Sequence, residues 1–172
     1  HRFLCREAAE RLGYEVGFDW VLTVPRDHDL EERNVNDGRV EIAGVRGRVE
    51  AANVNGEVTL SDLGGATRAS TVNGDLRAGF ATIPVGDLRF ASVNGELELT
   101  FPAGFGAELS AHTLNGEVLT DFPFQELAPA PAATRGARGR HRLSASSVRI
   151  GGGGSRLECE TVNGDILIRV RD

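Results

Sequence analysis

An all-β chain, wound as a single-domain parallel β-solenoid with coils of 18–21 residues, is the fold the sequence predicts. Three observations carry it. Glycine or a small residue recurs at nine-residue intervals, Val-Asn-Gly or Leu-Asn-Gly stands at every second one, and apolar residues hold fixed places between them. An antiparallel β-meander sandwich is the alternative.

The slots run Gly38, Gly47, Gly56, Gly65 and Gly74, nine apart. Gly86, Gly95, Ala107 and Gly116 follow at alternating intervals of twelve and nine, and after a break the frame resumes with Ser155 and Gly164. Counting from each slot, +2 and +4 are mostly apolar: Val40 and Ile42, Val49 and Ala51, Val58 and Leu60, Leu88 and Phe90, Leu97 and Leu99, Leu157 and Cys159, Ile166 and Ile168. Position +7 is apolar as well, at Val45, Val54, Leu63, Val72, Val93, Leu114 and Val162. A flat strand puts +2, +4 and +6 on one side. An inward residue at +7 therefore predicts a bend after +4, so that each unit is a short strand, a bend, an inward hydrophobe and a glycine turn.

The turns alternate in chemistry. Asn55–Gly56, Asn73–Gly74, Asn94–Gly95, Asn115–Gly116 and Asn163–Gly164 mark one half of each coil, whereas Arg46, Gly64, Val85, Gly106 and Gly154 precede the slots of the other half. Glycine accepts positive φ and asparagine tolerates it. Coils of this length stack the asparagines in a column in which their amides can bond to neighbouring coils.

Residues 1–13 read as a tail or a short helix over 4–13 ending at Gly13. Residues 14–172 form the repeat domain. Its first segment, "YEVGFDWVLTV" (14–24), alternates strictly, ends at Pro25 and predicts a strand covering the N-terminal end of the stack. Residues 120–142, Pro/Ala-rich and then Arg-rich, break the frame as a loop excursion. The run Arg135, Arg138, Arg140, His141 and Arg142 is a solvated loop or a contact for an anionic glycan, lipid headgroup or partner. "GGGGS" (151–155) reads as a native glycine turn because the frame resumes at Ser155.

The 172 residues, 40% hydrophobic, suffice for one core. A net charge of −6 argues against nucleic acid as partner. No apolar run reaches the length of a membrane span. The chain opens on His1 and has no Met, so a processed start, such as a removed secretory signal, is expected. All 19 basic residues are Arg, which removes lysine chemistry. Cys5 and Cys159 are expected as free thiols, with a bridge between them the alternative that their different contexts argue against, and Cys159 a small core residue at an inward +4.

The residue after each Asn-Gly is acidic: Glu57, Asp75, Glu96, Glu117 and Asp165. A solubilising rim is one reading and a calcium ladder the other, although the Gly-Gly-x-Gly-x-Asp signature of calcium-binding rolls is missing. Catalytic motifs are missing too: there is no G-x-S-x-G, H-E-x-x-H, C-x-x-C or P-loop, and His1, His28, His112 and His141 share no metal-ligand spacing. No catalytic residue and no cofactor is expected.

The segment "LTVPRDHDLEERNVNDGRVEIAGVRG", the Val-Asn-Gly-acid series and the closing "GGGGSRLECETVNGDILIRV" together resemble the bacterial adhesin-type β-strand-repeat domains, a family of unknown function, over about Val21 to Val170. The resemblance implies a β-solenoid in exported or membrane-tethered envelope proteins, some linked to envelope stress, and it transfers no catalytic residues. A non-catalytic extracytoplasmic scaffold or adhesin-like binding module is therefore expected, its partner an envelope glycan or a protein, with oligomerisation compatible. An envelope-stress regulatory module contacting a membrane partner and a glycan-active enzyme are the alternatives.

Overall fold

A computed structural model describes residues 4–10, 15–35, 38–127, 141–142 and 147–171; side chains are described from Val21 onward, those of 141–142 excepted. The described residues form strands and turns with no helix. After β1 (Leu4–Glu10) and β2 (Glu15–Trp20), the chain lays one strand in a second sheet, turns, and lays the next in the first sheet. It does so five times in succession: β3 (Leu30–Asn34) and β4 (Val40–Ala43), β5 (Val49–Asn55) and β6 (Val58–Leu63), β7 (Thr67–Asn73) and β8 (Leu76–Phe80), β9 (Leu88–Asn94) and β10 (Leu97–Pro102), β11 (Ala107–Asn115) and β12 (Val118–Thr120). β13 (Phe124–Glu126), β14 (His141–Arg142) and β15 (Ser147–Ile150) follow, and β16 (Ser155–Asn163) with β17 (Ile166–Arg171) make a sixth pair.

The first sheet runs β2-β1-β4-β6-β8-β10-β17-β12-β14, the second β3-β5-β7-β9-β16-β11-β15-β13. From β4 to β12 and from β3 to β11 every neighbour is parallel. Antiparallel pairs stand only at the ends of the sheets among the described residues, at β1–β2, β1–β4, β12–β14, β11–β15 and β13–β15. The final pair does not extend the stack. β16 lies between β9 and β11, and β17 between β10 and β12, so the last 17 residues of described strand and turn fill an interior rung.

The core lies between the two sheets. All fourteen +2 and +4 residues named above are buried. Phe80, Phe101 and Phe105 stack, with centroids 4.9 and 4.0 Å apart, and Phe90 and Phe122 close the column edge-on.

The +7 expectation holds at two residues on the first-sheet side and fails along the second sheet. Val45 and Leu63 are buried, whereas Val54 is half-buried and Val72, Val93, Leu114 and Val162 are exposed, Leu114 at 70%. The strands of the second sheet run flat through +6 and bury Asn53, Thr71, Ser92 and Thr161 instead. Hydrogen bonding makes this tolerable. Asn53 donates to the Gly38 carbonyl at 2.8 Å, Thr71 to Gly56 at 3.3 Å and Ser92 to Gly74 at 3.5 Å, each satisfying the turn of the preceding rung. Thr113 does the same for Gly164 at 3.1 Å, while the Thr161 hydroxyl has no partner.

Residues 4–10 differ from the tail or helix expected there: they form β1, antiparallel to both β2 and β4. The strand state supplies partners to the otherwise open edge of β4, a tertiary gain that outweighs local helix preference. The expected strand at 14–24 is shorter, at Glu15–Trp20, and Val21 and Leu22 beyond it are half exposed. Of the excursion at 120–142, Thr120 ends β12, Phe122 is buried against Phe105, and residues 128–140 lie outside the described set.

Candidate functional site

Register brings like positions of successive rungs side by side on the second sheet. Asn55, Asn73, Asn94, Asn163 and Asn115 stand in one column in that spatial order. Asn73 donates its amide to Asn55 at 2.9 Å, Asn94 to Asn73 at 2.9 Å, Asn163 to Asn94 at 2.8 Å and Asn115 to Asn163 at 2.8 Å. The result is an unbroken amide ladder across five rungs. The paired glycines Gly56, Gly74, Gly95, Gly164 and Gly116 turn the chain beside it. At Gly74 (φ +150°) a Cβ would collide with the Gly56 carbonyl, so that rungs meet here backbone to backbone.

The acidic column beyond the ladder is not an open cage. Arg77 reaches Glu57, Asp75 at 3.2 Å and Glu98 at 3.5 Å; Arg39 engages Glu57 at 3.3 Å, and Arg169 engages Glu98 at 2.8 Å. Between Glu57 and Asp75, the Arg77 guanidinium thus stands where a bridging cation would sit. Asp75 and Asp165 accept the backbone N–H groups of Glu96 and Glu117, at 3.0 and 2.8 Å. Burial, then Glu98, Asp75 and Asp165, raise the Glu96 carboxyl above its ordinary pKa. No group of three or more His, Cys, Asp or Glu among the described residues is arranged to hold a metal ion.

Cys159 is a free thiol in the core, and burial, with the Glu158 charge behind it, pushes its pKa up, away from nucleophilic use. His28 and His112 are exposed and far apart in the rung order, on residues preceding β3 and within β11. Arg135, Arg138 and Arg140 lie outside the described residues; Arg142 is placed only by its backbone, in β14, as is His141.

The sequence reading missed the outer face of the second sheet. The exposed +7 residues align in the same register as the asparagines, and Val35 extends them. Val35, Val54, Val72, Val93, Val162 and Leu114 form one aliphatic stripe up six rungs, one residue short of the amide ladder. Neighbouring strands lie about 4.8 Å apart, so the stripe is roughly 24 Å long. The signal was present in the sequence: Val54, Val72, Val93, Leu114 and Val162 each precede an Asn-Gly, and only their side was misassigned.

Comparison of the chain with family models, curated proteins and solved structures found no match. The geometry of this face is accordingly the guide to function.

Proposed function

We propose that the chain is a parallel β-solenoid that acts as a non-catalytic binding scaffold at the cell envelope. The alternation of strands between two sheets, rung upon rung, supports the solenoid reading. The aliphatic stripe is the observation that carries the binding role. Single exposed hydrophobes need no explanation, but an aligned row of aliphatic side chains on one sheet face, Leu114 and Val35 most open among them, is the kind of patch that often serves as a contact surface. An envelope glycan suits it chemically: sugar C–H faces pack on the valines while hydroxyl groups meet the neighbouring amides. Placement outside the cytoplasmic membrane, and an adhesin-like role, rest on the resemblance of the Val-Asn-Gly repeats to adhesin-type domains.

The test is binding of the purified chain to isolated envelope polysaccharides, comparing wild type with a Val72→Ser, Val93→Ser, Val162→Ser triple variant. These side chains face solvent, so the melting temperature should hold within a few degrees. Loss of binding in the triple variant supports the proposal. Equal binding by both proteins, or none by wild type, rejects it. Recovery of the tagged natural gene product in the cytosolic fraction would reject the envelope placement separately.

A further inference from the structure

On the same outer face, at the opposite ends of the strands from the valines, lies a depression of about 300 Å³ lined by Arg48, Ala66, Thr67, Arg68, Asp87 and Arg89. Its floor is small by construction. Ala66 stands between Arg48 and Asp87 in the register of β5, β7 and β9, and a Cβ on Gly86 would press on the Ala66 methyl at 2.9 Å.

Three guanidinium groups rim this space on a protein of net charge −6. Arg48 pairs with Glu50 at 3.1 Å and Arg89 with Glu158 at 3.5 Å, and both acids lie outside the depression. Arg68, exposed, has no ion pair with any described residue, and its direct cross-strand neighbour is Arg89. Glu50 stands opposite Arg68 on its other side but is engaged by Arg48, with Arg33 at 3.9 Å. Like charges directly opposite in a sheet are destabilising. Asp87 is the only carboxylate of the rim and makes no ion pair with these arginines. Three guanidinium groups thus face one carboxylate at the rim; Arg48 and Arg89 are offset by Glu50 and Glu158 at its margin, and Arg68 is left without an ion pair among the described residues.

The geometry points to an oxyanion site: a phosphate or sulfate group, free or carried as an ester, held in the depression by Arg48, Arg68 and Arg89. Planar guanidinium forks match the paired oxygens of such groups. The volume is at the small end for ligand sites, which fits a single headgroup and not a whole cofactor. The partly open rim makes binding weak, with a Kd on the order of 1 mM for inorganic phosphate, and salt-dependent. The site is independent of the aliphatic stripe, and neither reading falls with the other.

The test is amide NMR titration of the whole chain with inorganic phosphate, sulfate, acetate and an alkyl phosphate ester at constant ionic strength, with chloride as the balancing ion. Saturable shifts centred on Thr67, Arg68 and Arg89 for phosphate and sulfate, at least tenfold weaker with acetate, are expected. Tight binding of the ester relative to free phosphate identifies an ester-borne group; the reverse identifies the free ion. Arg68→Gln should weaken binding at least tenfold, and Ala66→Leu, which fills the floor, should abolish it. Arg46→Gln, which removes an exposed arginine outside the depression, should leave it unchanged. Arg68→Gln should keep or raise the melting temperature in phosphate-free buffer, whereas an arginine serving the fold would lower it. Shifts that never saturate, equal binding by Arg68→Gln, or equal loss in Arg46→Gln overturn the site.

Discussion

Asn163 donates its side-chain amide to Asn94, 69 residues earlier, at 2.8 Å, and accepts that of Asn115, the asparagine that precedes it in the repeat series. The closing rung is therefore held on both sides by rungs that were made before it.

Removing that rung should be far worse than shortening the stack. A chain ending at Gly151 exposes β9 and β10 on one side and β11 and β12 on the other, and leaves Leu97, Leu99 and Leu109 without the β16–β17 side chains beside them. The expected outcome is loss of a cooperative thermal transition, followed by circular dichroism. A transition lowered by only a few degrees would mean that β11 can close directly on β9.

The amide ladder predicts a gradient of cost. Asn94 both donates and accepts within it, whereas Asn55 only accepts. At about 0.5–1.5 kcal/mol for each hydrogen bond, Asn94→Ala should cost about 1–3 kcal/mol and Asn55→Ala roughly half as much. Urea unfolding of the two variants measures the difference.

Two glycines separate strain from space. Gly95 (φ +154°) faces the Gly74 carbonyl so closely that a methyl group cannot enter, whereas Gly104 (φ +89°) has nothing within 4 Å of an added Cβ. Gly104→Ala should cost about 1–3 kcal/mol from the backbone conformation alone. Gly95→Ala must cost more, because the rung spacing itself has to give; the same urea experiment ranks them.

Glu96 sets a pH dependence. Its carboxyl titrates higher in the folded chain than in the unfolded one, so the folded state holds the proton more tightly. The stability attached to that proton is present in acid and is lost as pH rises through the raised value. Glu96→Gln should therefore melt above wild type at pH 7, and the gap should close at about pH 4. A gap that persists in acid would assign the gain to something other than charge.

The glycine spacing made the strand halves and their buried +2 and +4 residues legible, because parity along a pleated strand is a local property. Side assignment at the corner was not. Val72 and Val93 outrank Thr71 and Ser92 in hydrophobicity, yet the polar pair goes inward, since each hydroxyl meets a glycine carbonyl from another rung. Rung order was equally hidden: Asn115 and Asn163 sit in chemically alike strands, so nothing local to either says which should lie next to Asn94. The β1 strand depends on the open edge of β4, a partner that residues 4–10 do not encode themselves. The oxyanion site escaped notice because Arg48, Arg68 and Arg89 are about twenty residues apart and meet only through strand register.

An interior C-terminal strand also decides how the molecule transmits tension. Pulled between β2 and a tether fixed after Arg171, the first sheet is stretched through β1, β4, β6, β8 and β10 into β17. β12 and β14 beyond it carry none of that force. A shielded lobe would thus ride on a strained column, released only when β16 and β17 are both peeled from it.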